Sequence, residues 1–155
     1  MKWGETRWLK IAGMWCIYCG EMATSEDHFP PVSVDTRGWR LPACKECNSG
    51  IGDRFPFSFW DRCDEAKRRI EKKHAHALAF PHWDEEDLEE LGPNMRRNVK
   101  LWQRKKRIAH ARIAWNVRAY LLSIETPIDF VRYVARTPGT ATDGPLPSSN
   151  YQNAD

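Results

Sequence analysis

Apolar residues recur at helical spacing through the second half of the chain and at no regular spacing through its first third. The series Met95, Val99, Trp102, Ala109, Ile113, Val117, Tyr120 and Ile124 keeps to one helical stripe and predicts a helix over roughly 94–124. Arg96, Lys100, Arg104, Arg107 and Arg118 project away from that stripe. A second ridge of Leu101, Ile108, Trp115 and Leu122 repeats every seven residues. Core packing accounts for both ridges. The alternative for the second is a homodimer through the 94–124 helix.

Upstream, Ala66, Ile70 and Ala77 follow the same period, so a helix capped by Ser58 or Asp61 is expected to run to about Leu78. Asp84, Glu85, Glu86 and Asp87 place negative charge where the first turn of a short helix favours it. Gly92 ends that helix and Pro93 opens the next. Pro127 separates a last short helix over about 128–135. Residues 137–155, rich in Pro, Gly, Ser, Thr and Asn, predict a disordered tail. The first sixty residues predict less regular structure. A short helix is expected over 5–12, with short strands near 32–34 and 40–41. Gly and Pro are too frequent there for long helices.

Composition adds a metal to this picture. A segment so poor in periodic apolar residues needs another source of folding energy, and it holds two Cys-x-x-Cys knuckles, Cys16/Cys19 and Cys44/Cys47. Each two-residue gap lets both sulfurs face one ion, and two pairs close a tetrahedral structural Zn²⁺ site. No apolar run is long enough for a membrane span, and the N-terminus lacks the apolar stretch of a secretory signal, so an intracellular chain is expected. Thiols in such a compartment favour metal over disulfides. Cys63, the fifth cysteine, reads as a small apolar residue on a helix.

The net charge of +3 conceals segregation. Residues 1–60 carry 7 basic and 7 acidic side chains, and residues 61–91 carry 6 and 10. Residues 92–136 carry 11 and 2. A basic block of this kind is the electrostatic footprint of a nucleic-acid partner, with a solvated helix face as the plain alternative.

Asp27-His28 lies in the loop between the knuckles, and Asn48 follows the last cysteine. A carboxylate beside an imidazole suits metal-assisted phosphodiester hydrolysis: oxygen ligands hold a hard cation, and a neutral His accepts a proton near neutral pH. Asn48 offers an amide oxygen as a second ligand, held in place by the zinc next to it.

The succession C-I-Y-C-G, S-E-D-H-F-P-P and L-P-A-C-K-E-C-N, across roughly residues 14–55, resembles the zinc-containing branch of the HNH endonucleases. The resemblance implies a small zinc-stabilised ββα-metal, treble-clef-like core; with the helical periodicity downstream, the expected fold class is α+β, that core followed by a mainly helical C-terminal extension. Together with the periodicity and composition of the later segments, this divides the chain into a nuclease core over 1–60, a helical extension over 61–136 and the tail over 137–155. It implies His28 as general base, with Asp27 and Asn48 as ligands of a catalytic Mg²⁺ or Mn²⁺, and the four knuckle cysteines on zinc. The implied substrate is DNA, cut or nicked by water activated at His28, in a phage or mobile-element nuclease, a packaging accessory, a restriction enzyme or a junction resolvase. Arg37, Arg40, Lys45 and Arg54 lie near the motif and are candidate phosphate contacts, joined by Arg96, Lys100, Arg104 and Arg107. The chain departs from the family at Ile51, where many members place Lys, His or an acid. Glu26, one residue before Asp27, is the other candidate carboxylate. Trp39 and Trp60 read as core. The competing classes are a non-catalytic zinc module that binds DNA or a protein, and an adaptor that dimerises through its long helix.

Overall fold

The short elements near the knuckles are held by one another rather than by their own length. A computed structural model describes residues 8–31, 38–52 and 58–136. Strands β1 (Trp8–Lys10), β2 (Ser25–Phe29) and β3 (Gly38–Ala43) form a sheet in the order β1-β3-β2. β3 runs parallel to β1 and antiparallel to β2, with His28 opposite Arg40 and Phe29 opposite Trp39. Helix α1 (Lys45–Ile51) leaves β3 directly, so β2, β3 and α1 form a strand–strand–helix unit.

The helix expected over 5–12 is corrected at its described end. Residues 8–10 are strand, and Ile11 donates its N–H to the Arg40 carbonyl at 2.9 Å. So short a segment gains little as an isolated helix, whereas the edge of β3 offers it backbone partners. Strand 40–41 falls inside β3. The strand expected near 32–34, Arg37, Arg54 and the tail over 137–155 lie outside the described residues.

α2 (Phe59–Lys73) begins where the cap signal placed it, with Ser58 accepting from the Asp61 N–H at 3.1 Å. α3 (Ala75–Leu78) follows, and Ala66, Ile70 and Ala77 are all buried. α4 (Glu85–Glu89) carries a reciprocal cap between Asp84 and Asp87, and α5 (Pro93–Ile113) starts at Pro93 after Gly92.

The single helix expected over 94–124 is two. α5 ends at Ile113, and Asn116 caps α6 (Val117–Ser123) by accepting from the Ala119 N–H at 3.0 Å. A mid-helix Asn competes with the ladder for backbone partners. Here the break also lets Trp115 lie on Gly20 and donate to the Ile17 carbonyl at 3.2 Å. The Tyr120 hydroxyl bonds both the N–H and the C=O of Trp15 at 3.0 Å. The seven-residue ridge is thereby split: Leu101, Ile108 and Leu122 remain 48%, 41% and 47% exposed, while Trp115 packs against the core. These three exposed residues are carried by two helices, Leu101 and Ile108 on α5 and Leu122 on α6.

α7 (Ile128–Arg136) closes the fold. Phe130 meets Trp39 and Phe59 edge-on at 5.2 and 5.3 Å between ring centres. Trp60 and Cys63 are buried on α2. One apolar cluster joins Tyr18, Phe29, Leu41, Phe59, Leu121 and Phe130, so the helical half packs on the knuckle half through a shared core.

Candidate functional site

The first knuckle is a tight turn. Gly20 donates to the Cys16 carbonyl at 2.9 Å and adopts φ of 77°, where a side chain would be strained and would also strike the Trp115 ring. The second knuckle is a helix start: Cys44 caps α1 and its sulfur accepts from the Cys47 N–H at 3.4 Å. All four sulfurs lie within 4.8 Å of one another, with Cys19 and Cys44 3.7 Å apart. Sulfurs bound tetrahedrally to zinc at about 2.3 Å stand about 3.8 Å apart, so the donor set fits that ion. All five cysteines are free thiols.

Crowded this closely, the thiols drive one another's acidities apart, chiefly through sulfur–sulfur hydrogen bonds. Cys16 and Cys47 are pushed well up, Cys44 well down, and Cys19 is lowered to about 7. An ion that displaces all four protons removes the conflict.

Arg112 on α5 is buried against this cluster. Its Nη2 lies 3.9 Å from the Cys44 sulfur and its Nη1 donates to Glu46 Oε2 at 3.0 Å. Burial would lower its affinity for the proton, but Cys19 and Glu46 outweigh burial and raise it. Four thiolates on a dication leave net negative charge, which a buried guanidinium offsets. Sequence reading missed this residue. The available signal was its place on the apolar side of the helix, three residues after Ala109 and one before Ile113.

β2 divides the remaining site residues between its faces. Asp27 and Phe29 point inward, while Glu26 and His28 point to the other face and are only half-buried. Asp27 is 4% exposed, and its Oδ2 accepts from Tyr18 at 2.5 Å and from Arg62 Nη2 at 2.7 Å. Arg62, fully buried on α2, also donates to the Gly52 carbonyl at 3.1 Å. Burial pushes the Tyr18 hydroxyl well up; Arg62 is raised because Tyr18 and Asp27 together outweigh its own burial. Asn48 Nδ2 donates to the Glu26 carbonyl and to Ser25 Oγ, both at 3.2 Å, and so ties α1 to the strand that carries His28. Glu26 pairs with Lys10 at 2.9 Å and Arg40 at 3.2 Å; the Lys10 bond is the main reason its pKa is lowered.

The structure therefore brings Asn48 to β2 but sets Asp27 and His28 on opposite faces. Both residues expected to hold a hard cation have protein partners in this arrangement. A guanidinium already occupies Asp27, the Asn48 amide hydrogens are directed at β2, and Ile51, a turn after Asn48, is buried in the core. Asp27→Asn is expected to lower stability by about 3–5 kcal/mol, because Arg62 loses its buried counter-charge. Denaturant unfolding checks this, and a loss below about 1 kcal/mol would mean that Arg62 is compensated elsewhere.

The candidate nucleic-acid contacts separate into groups. Arg40 is committed to Glu26. Arg96 donates to the carbonyls of Leu88, Glu89 and Leu91 at 2.8, 3.1 and 3.2 Å, capping α4. Lys45, Lys100, Arg104 and Arg107 are exposed. If the outer face of α5 grips phosphates, Arg104→Glu with Arg107→Glu lowers the slope of log affinity against log salt by about 2. An unmoved slope in fluorescence anisotropy would confine that face to solvation.

Among the described residues, no helix is long and apolar enough to cross a membrane. Comparison with known proteins finds no matching family model, no matching curated protein and no matching solved structure.

Proposed function

We propose that the chain is a zinc-stabilised endonuclease or nickase that hydrolyses DNA phosphodiesters, with His28 taking the proton from the attacking water. The observation that carries this reading is the anchoring of Asn48, directly after the last zinc-facing cysteine, onto the strand that bears His28. A metal with no part in the reaction then fixes the position of the strand and its imidazole. The substrate class rests on the motif order in the sequence and on the exposed cations of α1 and α5.

A second reading is favoured by a specific observation. The Asp27–Arg62 pair and the burial of Ile51 remove two positions from which a nuclease of this kind would hold a divalent ion. On that reading the chain is a non-catalytic zinc module that binds DNA or a protein. Incubation of supercoiled plasmid with the zinc-loaded protein, with and without added Mg²⁺ or Mn²⁺, separates the two. Nicked product that disappears with His28→Ala supports the nuclease, and intact plasmid under every condition supports the binding module.

A further inference from the structure

We propose that the surface from α1 and α2 across α3 to α5 carries a nucleic-acid phosphate backbone, an inference that rests on the nucleic-acid reading above. Two cavities lie on this surface. One, of about 910 Å³, lies between α1 and α2 and is lined by Lys45, Lys72 and Lys73 among others. The other, of about 300 Å³, lies between α3 and α5 and includes Lys105 and Arg112. Lys73 is common to the linings of both.

The charge of this path decides its occupant. Among the described residues, Glu46 is the one carboxylate that lines either cavity. It is paired with Lys73 at 3.7 Å and His74 at 3.0 Å, and with Arg112 at 3.0 Å, which it shares with the sulfur cluster. Arg69, on the wall of the first cavity, is balanced by Glu65 at 3.0 Å. Positive charge in excess is left at Lys45, Lys72 and Lys105. Lys45 and Lys72 are exposed, and Lys105 holds its ammonium 4.4 Å from the centre of the Trp102 ring. Three cations along an open groove, with the acids at its walls neutralised, favour a chain of phosphates over a single small anion. The α5 face involved is the Leu101, Lys105, Ile108 and Arg112 side, distinct from the Lys100, Arg104 and Arg107 side.

The test is duplex binding by the zinc-loaded full chain carrying His28→Ala, read by anisotropy of a labelled oligonucleotide over a series of salt concentrations. Lys45→Gln, Lys72→Gln and Lys105→Gln are combined and compared with Arg132→Gln, which removes an exposed charge on α7. The triple variant is expected to lower the salt slope by about 2–3, close to one unit for each phosphate no longer neutralised, and Arg132→Gln to leave it in place. Equal slopes for the triple variant and its parent, at unchanged zinc content and melting temperature, would overturn the proposal. So would a parent that binds no duplex at low salt. A parent that binds through these lysines but whose wild-type form never cleaves leaves this path standing and removes the nuclease reading. Cleavage with the slope unmoved does the reverse.

Discussion

His28→Ala is expected to lower plasmid nicking by about 10²–10⁴-fold, the range over which a positioned general base contributes, while zinc content and melting temperature stay at the parent values. The two halves of this expectation have separate physical grounds. His28 sits on the outward face of β2, opposite Arg40, and is absent from the apolar cluster that joins the two halves of the chain. Its truncation leaves that cluster and the backbone pairing of β2 with β3 intact. A loss of activity without a loss of structure then identifies proton transfer rather than scaffolding. Asp27→Asn serves as the contrast, because any activity it loses is accompanied by a lower unfolding midpoint from the orphaned Arg62. If His28→Ala nicks as fast as its parent, the imidazole is not the base and the nuclease reading loses the residue on which it stands.

Asp27 and His28 show why adjacency in sequence is a poor guide to a shared site. The dipeptide suggests a carboxylate and an imidazole acting together. A strand turns successive side chains to opposite faces, so the same dipeptide delivers one residue to the core and the other toward solvent. Glu26, two residues from His28, is the carboxylate that shares its face. What the sequence made legible was local chemistry: the knuckle spacings, the Ser58 cap, the acidic start of α4 and the Gly92-Pro93 junction all follow from contacts within a few residues. The partners that neutralise the buried charges come from far along the chain. Arg62 lies 35 residues after Asp27, and Arg112 lies 68 residues after Cys44. No periodicity marks such a pair, because each arginine occupies an inward helical position that a hydrophobic pattern assigns to an apolar residue. The break after Ile113 was legible in principle at Asn116, a strong cap residue, but the apolar stripe continues through it and masks the signal. Val99, Ala109, Val117 and Tyr120 of the stripe are buried, on two helices rather than one, whereas Met95 at its start is 58% exposed.

Cys44→Ala carries the largest expected structural effect, because that residue has three roles. Its sulfur is one of the four set to hold zinc, it caps α1 through the Cys47 N–H, and it accepts from buried Arg112. Structural zinc in small domains contributes about 10–16 kcal/mol of apparent binding energy near neutral pH, which equals or exceeds the total stability of most domains at about 5–15 kcal/mol. Removing one ligand therefore takes away more than the first third of the chain is able to replace. Its sheet is small, with strands of 3, 5 and 6 residues. The variant is expected to lose bound zinc, and the bonds that Trp115 and Tyr120 make to the first knuckle disappear with it. Metal analysis after desalting, together with near-ultraviolet circular dichroism for the packed tryptophans, reads both consequences. Cys63→Ala is the companion variant: its thiol is buried on α2 and lies outside the sulfur cluster, so it should keep its zinc and lose only about 1 kcal/mol of packing. A Cys44→Ala protein that remains folded and still binds zinc would break the assignment of all four sulfurs to one ion. A folded protein without zinc would show instead that the shared core with α2, α6 and α7 is enough to hold the knuckles in place.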